Sequence, residues 1–212
     1  MSEQEGVIKY QLDWDKAPAI DPFDFSALTR WHQCFKQAGI LGQDPERYDG
    51  YGFGNISERL NQDSFLISGT QTGYLDVLGS QDYAVVVRAV IEDNRIISQG
   101  PVKPSSEALT HAAVYALDPD IRFVFHVHSP GIWQAREKMN LPETAADIPY
   151  GTSEMASEVK RLFDAGAFSE VSVFAMAGHE DGIVGFGRTA DEAGDGLMHV
   201  LGQTPLTGKS LA

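Results

Sequence analysis

Two histidines, His126 and His128, stand one residue apart at the end of the run FVFHVH, residues 123–128. On an extended strand alternate side chains share a face, so both imidazoles project to one side while Phe123, Phe125 and Val127 take the other. Two imidazoles at that spacing can chelate one ion, each through a ring nitrogen at ~2.0–2.1 Å. The pair alone is a weak signal. Strand histidines facing solvent are common, and a metal site needs a third ligand and a group to move protons.

His179, in AGHEDGIVGFG, supplies a candidate third ligand from a turn between two strand-like segments. A lone histidine in such a turn is more often a surface residue, unless the sheet brings its strand beside 121–128. Three histidines would leave one coordination position open, the arrangement of a catalytic rather than a structural site. Glu107, in KPSSEALTH, lies at the start of a predicted helix, with Ser105 or Ser106 as its cap. Free amides and hydroxyls there form an anion cradle, and Glu107 reads either as the acid/base group or as a capping residue. His111 shares its helical face four residues on and reads as a supporting residue, not a ligand. The loops YGFGNISER and FLISGTQTG add Gly52, Gly54, Asn55, Ser68 and Gly69, small residues that admit a ligand close to the backbone.

The elements that must position these residues are of mixed type. A helix is expected from about Asp24 to Ala38, then a turn-rich stretch over residues 41–52. Strand-like segments FGNISERL, FLIS, YAVVVRAVI and RIIS follow. Helical spacing returns in KPSSEALTHAAVYAL, followed by the strand IRFVFHVH, the helix GTSEMASEVKRLFDAG and the strands VSVFAM and IVGFG. Thr189 and Glu192 fit a capping box opening the last helix. The order is early antiparallel strands, then helices alternating with strands, an α/β class.

At 212 residues the chain is expected to hold one domain, spanning residues 23–212, preceded by a mobile arm over residues 1–22. Sixteen basic against thirty acidic side chains, a net charge of −14, argue against a nucleic-acid binder or an anionic-membrane binder. A phosphorylated substrate stays compatible, since amides, hydroxyls and a metal hold phosphate locally. The single cysteine, Cys34, excludes an internal disulfide and reads as core filler. No signal-peptide pattern and no apolar run of about 20 residues occurs, so a cytoplasmic protein is expected.

The segments GNIS, ISG, KPSSE, HVHSP and GHEDGIVGFG, in this order and spacing, resemble the class II aldolase/adducin family from about Phe25 to Leu201. The resemblance implies a single three-layer α/β/α domain around a mostly antiparallel sheet. It also implies a homotetramer with sites between subunits and a divalent metal, usually zinc (Zn2+). Carried over by motif, His126, His128 and His179 would be the metal ligands. Glu107 would be the catalytic carboxylate, and Asn55, Ser68, Gly69, Ser105 and Ser106 would seat a substrate phosphate. The activity implied is a lyase that cleaves or forms a carbon–carbon bond in a small sugar phosphate or hydroxy-carbonyl compound.

The chain departs from the family pattern in two places. Family aldolases use tyrosines from a neighbouring subunit and the C-terminal tail, and neither SPGIWQAREKMNLPE nor the tail GQTPLTGKSLA contains one. Gly52 stands where phosphate-sugar aldolases tend to carry a hydroxyl, which admits an unphosphorylated sugar acid. Epimerases on this scaffold carry aspartate where this chain has Glu107. A dehydratase like that of methylthioribulose phosphate would use the same histidines and glutamate, and a non-catalytic adducin-like interaction module is the alternative outside catalysis. A JAMM-type zinc hydrolase needs Ser-x-x-Asp soon after the histidine pair, and a cupin needs a glutamate close behind it; the sequence has neither.

Overall fold

In the computed structural model, residues 5–204 are described. The strands are β1 (Gln11–Lys16), β2 (Gly42–Gln43), β3 (Gly52–Phe53), β4 (Asn55–Arg59), β5 (Phe65–Ser68), β6 (Tyr83–Val90), β7 (Arg95–Gly100), β8 (Phe123–His128), β9 (Val173–Ala175) and β10 (Gly182–Gly187). The helices are α1 (Ser26–Gln37), α2 (Ala108–Leu117), α3 (Pro130–Ala135), α4 (Ser153–Asp164) and α5 (Ala190–Gly202). Eight strands form one sheet in the order β1-β7-β6-β5-β4-β8-β10-β9, while β2 and β3 form a separate short ladder. Every pairing in the large sheet is antiparallel except β1 with β7.

Helices cover both faces, and strand alternation sorts the core into two layers. Phe123, Phe125 and Val127 of β8 pack with Leu28, Trp31 and Phe35 of α1 and with Leu197 and Val200 of α5. Val124 faces the opposite layer, among Leu109 and Val114 of α2 and Met155, Val159 and Leu162 of α4. The apolar spacing of α1 and α4 therefore serves one sheet face each. Each such fully buried large side chain contributes roughly 1.5–3 kcal/mol. The fold is the expected three-layer α/β/α arrangement.

Helix starts follow side-chain chemistry. Thr152 accepts from Met155 N–H and Thr189 from Glu192 N–H, bonds worth about 1 kcal/mol each. The box at Thr189 is half of the expected one, because Glu192 Oε2 accepts from Arg188 N–H, one residue earlier, at 2.8 Å. Helix α3 is an element that the sequence pattern does not announce; its Ser129 cap accepts from Ile132 N–H and its first residue is Pro130. Cys34 is half-buried against the α1/α5 layer.

The expected arm takes a different form over its described part. Tyr10, Leu12 and Trp14 alternate with polar residues, and residues 11–16 pair with all of β7 as an edge strand. Tyr10 is buried and its hydroxyl donates to Ser105 C=O at 2.7 Å, so residues 5–16 pack on the domain. Residues 1–4 of that arm and 205–212 of the tail lie outside the described residues. No helix among the described residues is long and apolar enough to cross a membrane.

Candidate metal centre

β8 lies between β4 and β10, so its outward-alternating histidines are flanked on both sides. Asn55 of β4 and Val184 of β10 stand opposite His126, and Gly182 stands opposite His128. The turn joining β9 to β10 carries His179, fixed by His179 N–H to Met176 C=O and Gly182 N–H to His179 C=O, both 3.0 Å. Antiparallel pairing of β10 with β8 thus folds His179 back onto the strand pair. A Cβ on Gly182 would lie 2.5 Å from the His179 ring, so the turn needs glycine there. One nitrogen from each of His126, His128 and His179 lies within 4.8 Å of the others, and all three residues are buried.

The donor set fits a divalent ion. His126 Nδ1–H donates to Ile183 C=O at 3.2 Å, which leaves Nε2 as the free lone pair. That Nε2 is 3.1 Å from His128 Nε2, two nitrogens converging on one point. Burial pushes the His126 pKa down to about 4, and it pushes His128 and His179 well below the usual histidine value, with neighbouring imidazoles adding to both. Neutral imidazole is the ligating form.

Glu107 is fully buried at the N-terminus of α2. The helix begins later than a cap at Ser105 or Ser106 would place it. Glu107 holds the cap position, and Ser105 Oγ accepts from its N–H at 3.2 Å. Thr110 Oγ1 donates to Glu107 Oε2 at 2.8 Å. The other oxygen, Oε1, has no hydrogen-bond partner among the described residues and lies 3.4 Å from His179 Nε2 and 3.9 Å from His126 Nε2. Burial raises the Glu107 pKa to about 7, against the opposing pull of the Thr110 bond and of Lys9.

Asn55, Gly69, Ser105 and Ser106 line one narrow cleft, and Asn55 Oδ1 is buried without a partner among the described residues. Ser68 instead ties the backbone together, its Oγ accepting from Ile56 N–H at 3.2 Å and its C=O from Ser105 N–H at 3.1 Å. His111 lies behind the site, bonded through Nδ1 to Ser57 Oγ at 2.7 Å, with Tyr115 on the same hydroxyl.

Several neighbours carry no signal in the sequence. Glu5 reaches the histidines, with Oε1 3.7 Å from His128 Nε2 and Oε2 3.6 Å from His179 Nε2. Lys9 Nζ sits 3.3 Å from the ring centre of Tyr150, whose ring is 4.5 Å from that of His179. Tyr48 stacks edge-on against His128 and donates to Asp181 Oδ2 at 2.6 Å. Only the Tyr10-Leu12-Trp14 alternation signals that the first residues join the sheet. Nothing local marks Glu5 or Tyr48.

Residues 44–200 match the model of the class II aldolase and adducin N-terminal domain. A probable L-ribulose-5-phosphate 4-epimerase of Mycoplasma pneumoniae is 36% identical over 78 residues, a match covering 36% of this chain and 30% of that protein. Among solved structures, L-fuculose-1-phosphate aldolase from Thermus thermophilus superposes with a TM-score of 0.57 at 19% identity, over 85% of this chain and 89% of that one. An aldolase II superfamily protein from Pseudomonas syringae gives 0.56 at 17% identity, over 86% and 74%. At those identities the structural matches speak to the fold.

Proposed function

This chain belongs to the class II aldolase and adducin family, a metal-dependent family, and from that premise we propose that it is a lyase of the aldolase type. It makes or breaks a carbon–carbon bond beside a hydroxyl in a small sugar phosphate or hydroxy-carbonyl compound. The observation that carries the reading is the buried Glu107 Oε1, without a hydrogen-bond partner among the described residues, aimed at the nitrogens of His179 and His126. An oxygen in that position can reach a proton on a substrate atom beside the metal centre.

His126, His128 and His179 are the proposed ligands, and their three nitrogen donors suit zinc. A divalent ion there supplies Lewis-acid charge to the carbonyl and hydroxyl oxygens that become negative as the bond breaks. Glu107 takes the α-proton at Oε1 in the condensation direction and returns it in cleavage. Burial raises its pKa above the usual carboxylate range, which favours taking and returning a proton. Thr110, gripping Oε2, keeps Oε1 pointed inward. Asn55, Gly69, Ser105 and Ser106, on the rim of the cleft, hold the remote phosphate or carboxylate, which fixes the reacting carbon against Glu107. The reading includes a homotetramer with sites between subunits. A neighbouring subunit is then one source of the proton for the leaving aldehyde, and Tyr150, in ring contact with His179, is another.

The test begins with metal content. About one divalent ion per chain is expected, absent from His126→Ala/His128→Ala. The loaded protein is then offered L-fuculose 1-phosphate, L-ribulose 5-phosphate and unphosphorylated sugar acids in deuterated water, with products read by NMR. Aldehyde release together with α-proton exchange, both lost in Glu107→Gln, is the expected result. Epimer formation or loss of water without cleavage would replace the lyase assignment with the epimerase or the dehydratase. No metal under any loading condition would leave the non-catalytic module.

A further inference from the structure

The three-histidine centre has a second carboxylate. We propose that Glu5 is a protein ligand to the ion held by His126, His128 and His179, occupying the coordination position that substrate must take. This inference rests on the metal-centre reading above.

The argument is first one of spacing. Donor atoms about 2.0–2.1 Å from one tetrahedral ion stand roughly 3.4 Å from one another. His126 and His128 nitrogens are 3.1 Å apart, and the two Glu5 oxygens are 3.7 and 3.6 Å from the nitrogens of His128 and His179. Each Glu5 oxygen is thus near a ligand-to-ligand separation from one histidine nitrogen, as the single oxygen Oε1 of Glu107 is from two, at 3.4 and 3.9 Å. Glu5 therefore places its carboxylate between His128 and His179, while Glu107 Oε1 stands between His179 and His126.

The second part concerns charge. Glu5 is only 8% exposed and Glu107 is wholly buried. Two carboxyl groups beside three neutral imidazoles in one buried cluster must either hold protons or face a cation. Lys9 offsets part of that charge from its place over Tyr150. A divalent ion between the two carboxylates would supply the remainder.

The third part is that the segment is built to deliver Glu5. Tyr150 Oη accepts from Val7 N–H and donates to Val7 C=O, each at 3.1 Å. Asn94 Nδ2 donates to Lys9 C=O at 3.0 Å, and Tyr10 is tied to Ser105. Gly6 turns the chain at φ +75°, where a Cβ would strike the Gln71 amide. Behind these ties, the β1–β7 ladder fixes the register of the segment. Glu5 also lines both the cleft of Asn55 and Ser106 and an open cavity of about 410 Å³ beside Tyr48, Asp49 and Asp181. A substrate reaching into both spaces would meet Glu5 between them.

The experiment compares full-length wild type, Glu5→Gln, Glu5→Asp and His128→Ala. Zinc affinity is measured by chelator competition, and the visible spectrum of the cobalt-loaded forms reports the donor set. Glu5→Gln is expected to bind zinc at least about tenfold more weakly and to shift the cobalt bands, with Glu5→Asp intermediate. Wild-type affinity with an unshifted cobalt spectrum in both Glu5 variants, while His128→Ala loses the ion, would overturn the assignment of Glu5 alone. A wild type that takes no ion would overturn the metal centre and this inference together.

Discussion

Thr110→Val is the sharpest probe of how Glu107 is held. Thr110 is fully buried, and its hydroxyl makes two bonds: it donates to Glu107 Oε2 at 2.8 Å and accepts from Gly151 N–H at 3.2 Å. Valine keeps the branched shape and replaces the hydroxyl with a methyl group, which can neither donate nor accept. The lost bond to a carboxylate is worth about 1.5–3 kcal/mol, and the stranded Gly151 N–H costs about 1–3 more. A total near 3–4 kcal/mol is expected, a fall in melting temperature of roughly 10 °C for a chain of this size. Urea unfolding of the metal-free protein reads the first figure, and Thr110→Ser, which loses only a methyl group at about 1 kcal/mol, is the control. Chemistry should change with stability. The Thr110 bond favours the ionised form of Glu107, so its removal raises the carboxyl pKa and moves the pH profile of α-proton exchange to higher pH. Equal stability of the valine and serine variants, with an unmoved profile, would refute this account of Glu107.

Gly182→Ala places a methyl group 2.5 Å from the His179 ring; the ring must shift, and zinc affinity measured by chelator competition should fall about tenfold in a protein that still folds. Unchanged affinity would show that His179 has slack or is no ligand. The metal-free protein should lose stability on acidification. His111, His126, His128 and His179 have folded-state pKa values depressed by burial, so below about 6.5 the unfolded chain takes up protons that the folded one refuses. Glu107 and Glu5, raised to about 7 and about 8, act the other way, since the folded state gains their protons over the same range. His32, buried on α1 with its pKa pushed down to about 4, adds a fifth imidazole; together they outweigh the two carboxylates, and a net loss of about 4–5 kcal/mol is expected between pH 7 and pH 5. Denaturant titrations at pH 7, 6 and 5 check it, and a flat profile would mean that these imidazoles are not buried neutral.

Much of the fold is legible in the sequence because alternation and helical spacing are local. The run 123–128 announces its two faces, and Leu28, Trp31 and Phe35 announce the buried side of α1. The start of α2 is not legible, because Ser105 and Ser106 both suit a cap and only the fold shows that Ser105 bonds the N–H of Glu107. His126 and His128 are visible as a pair. His179 and Glu107 join them only through a family resemblance, since the β8–β10 pairing that gathers His179 to the pair closes a long stretch of chain. Glu5 has no signature at all. A carboxylate among acidic neighbours looks like solvated surface until an edge strand and a glycine turn carry it inward.

The alternation of β8 has a consequence for assembly. A slip of one residue against β4 and β10 would drive His126 and His128 into the apolar layer of Trp31, Phe35 and Leu197, and turn Phe125 and Val127 toward Glu107. Each stranded imidazole would cost about 1–3 kcal/mol in that setting. The histidines thus act as proofreaders of strand pairing during folding. A cation that binds only the correctly paired sheet would widen the gap between right and wrong registers in proportion to its saturation, so metal supply would govern the yield of properly assembled chains as well as their chemistry.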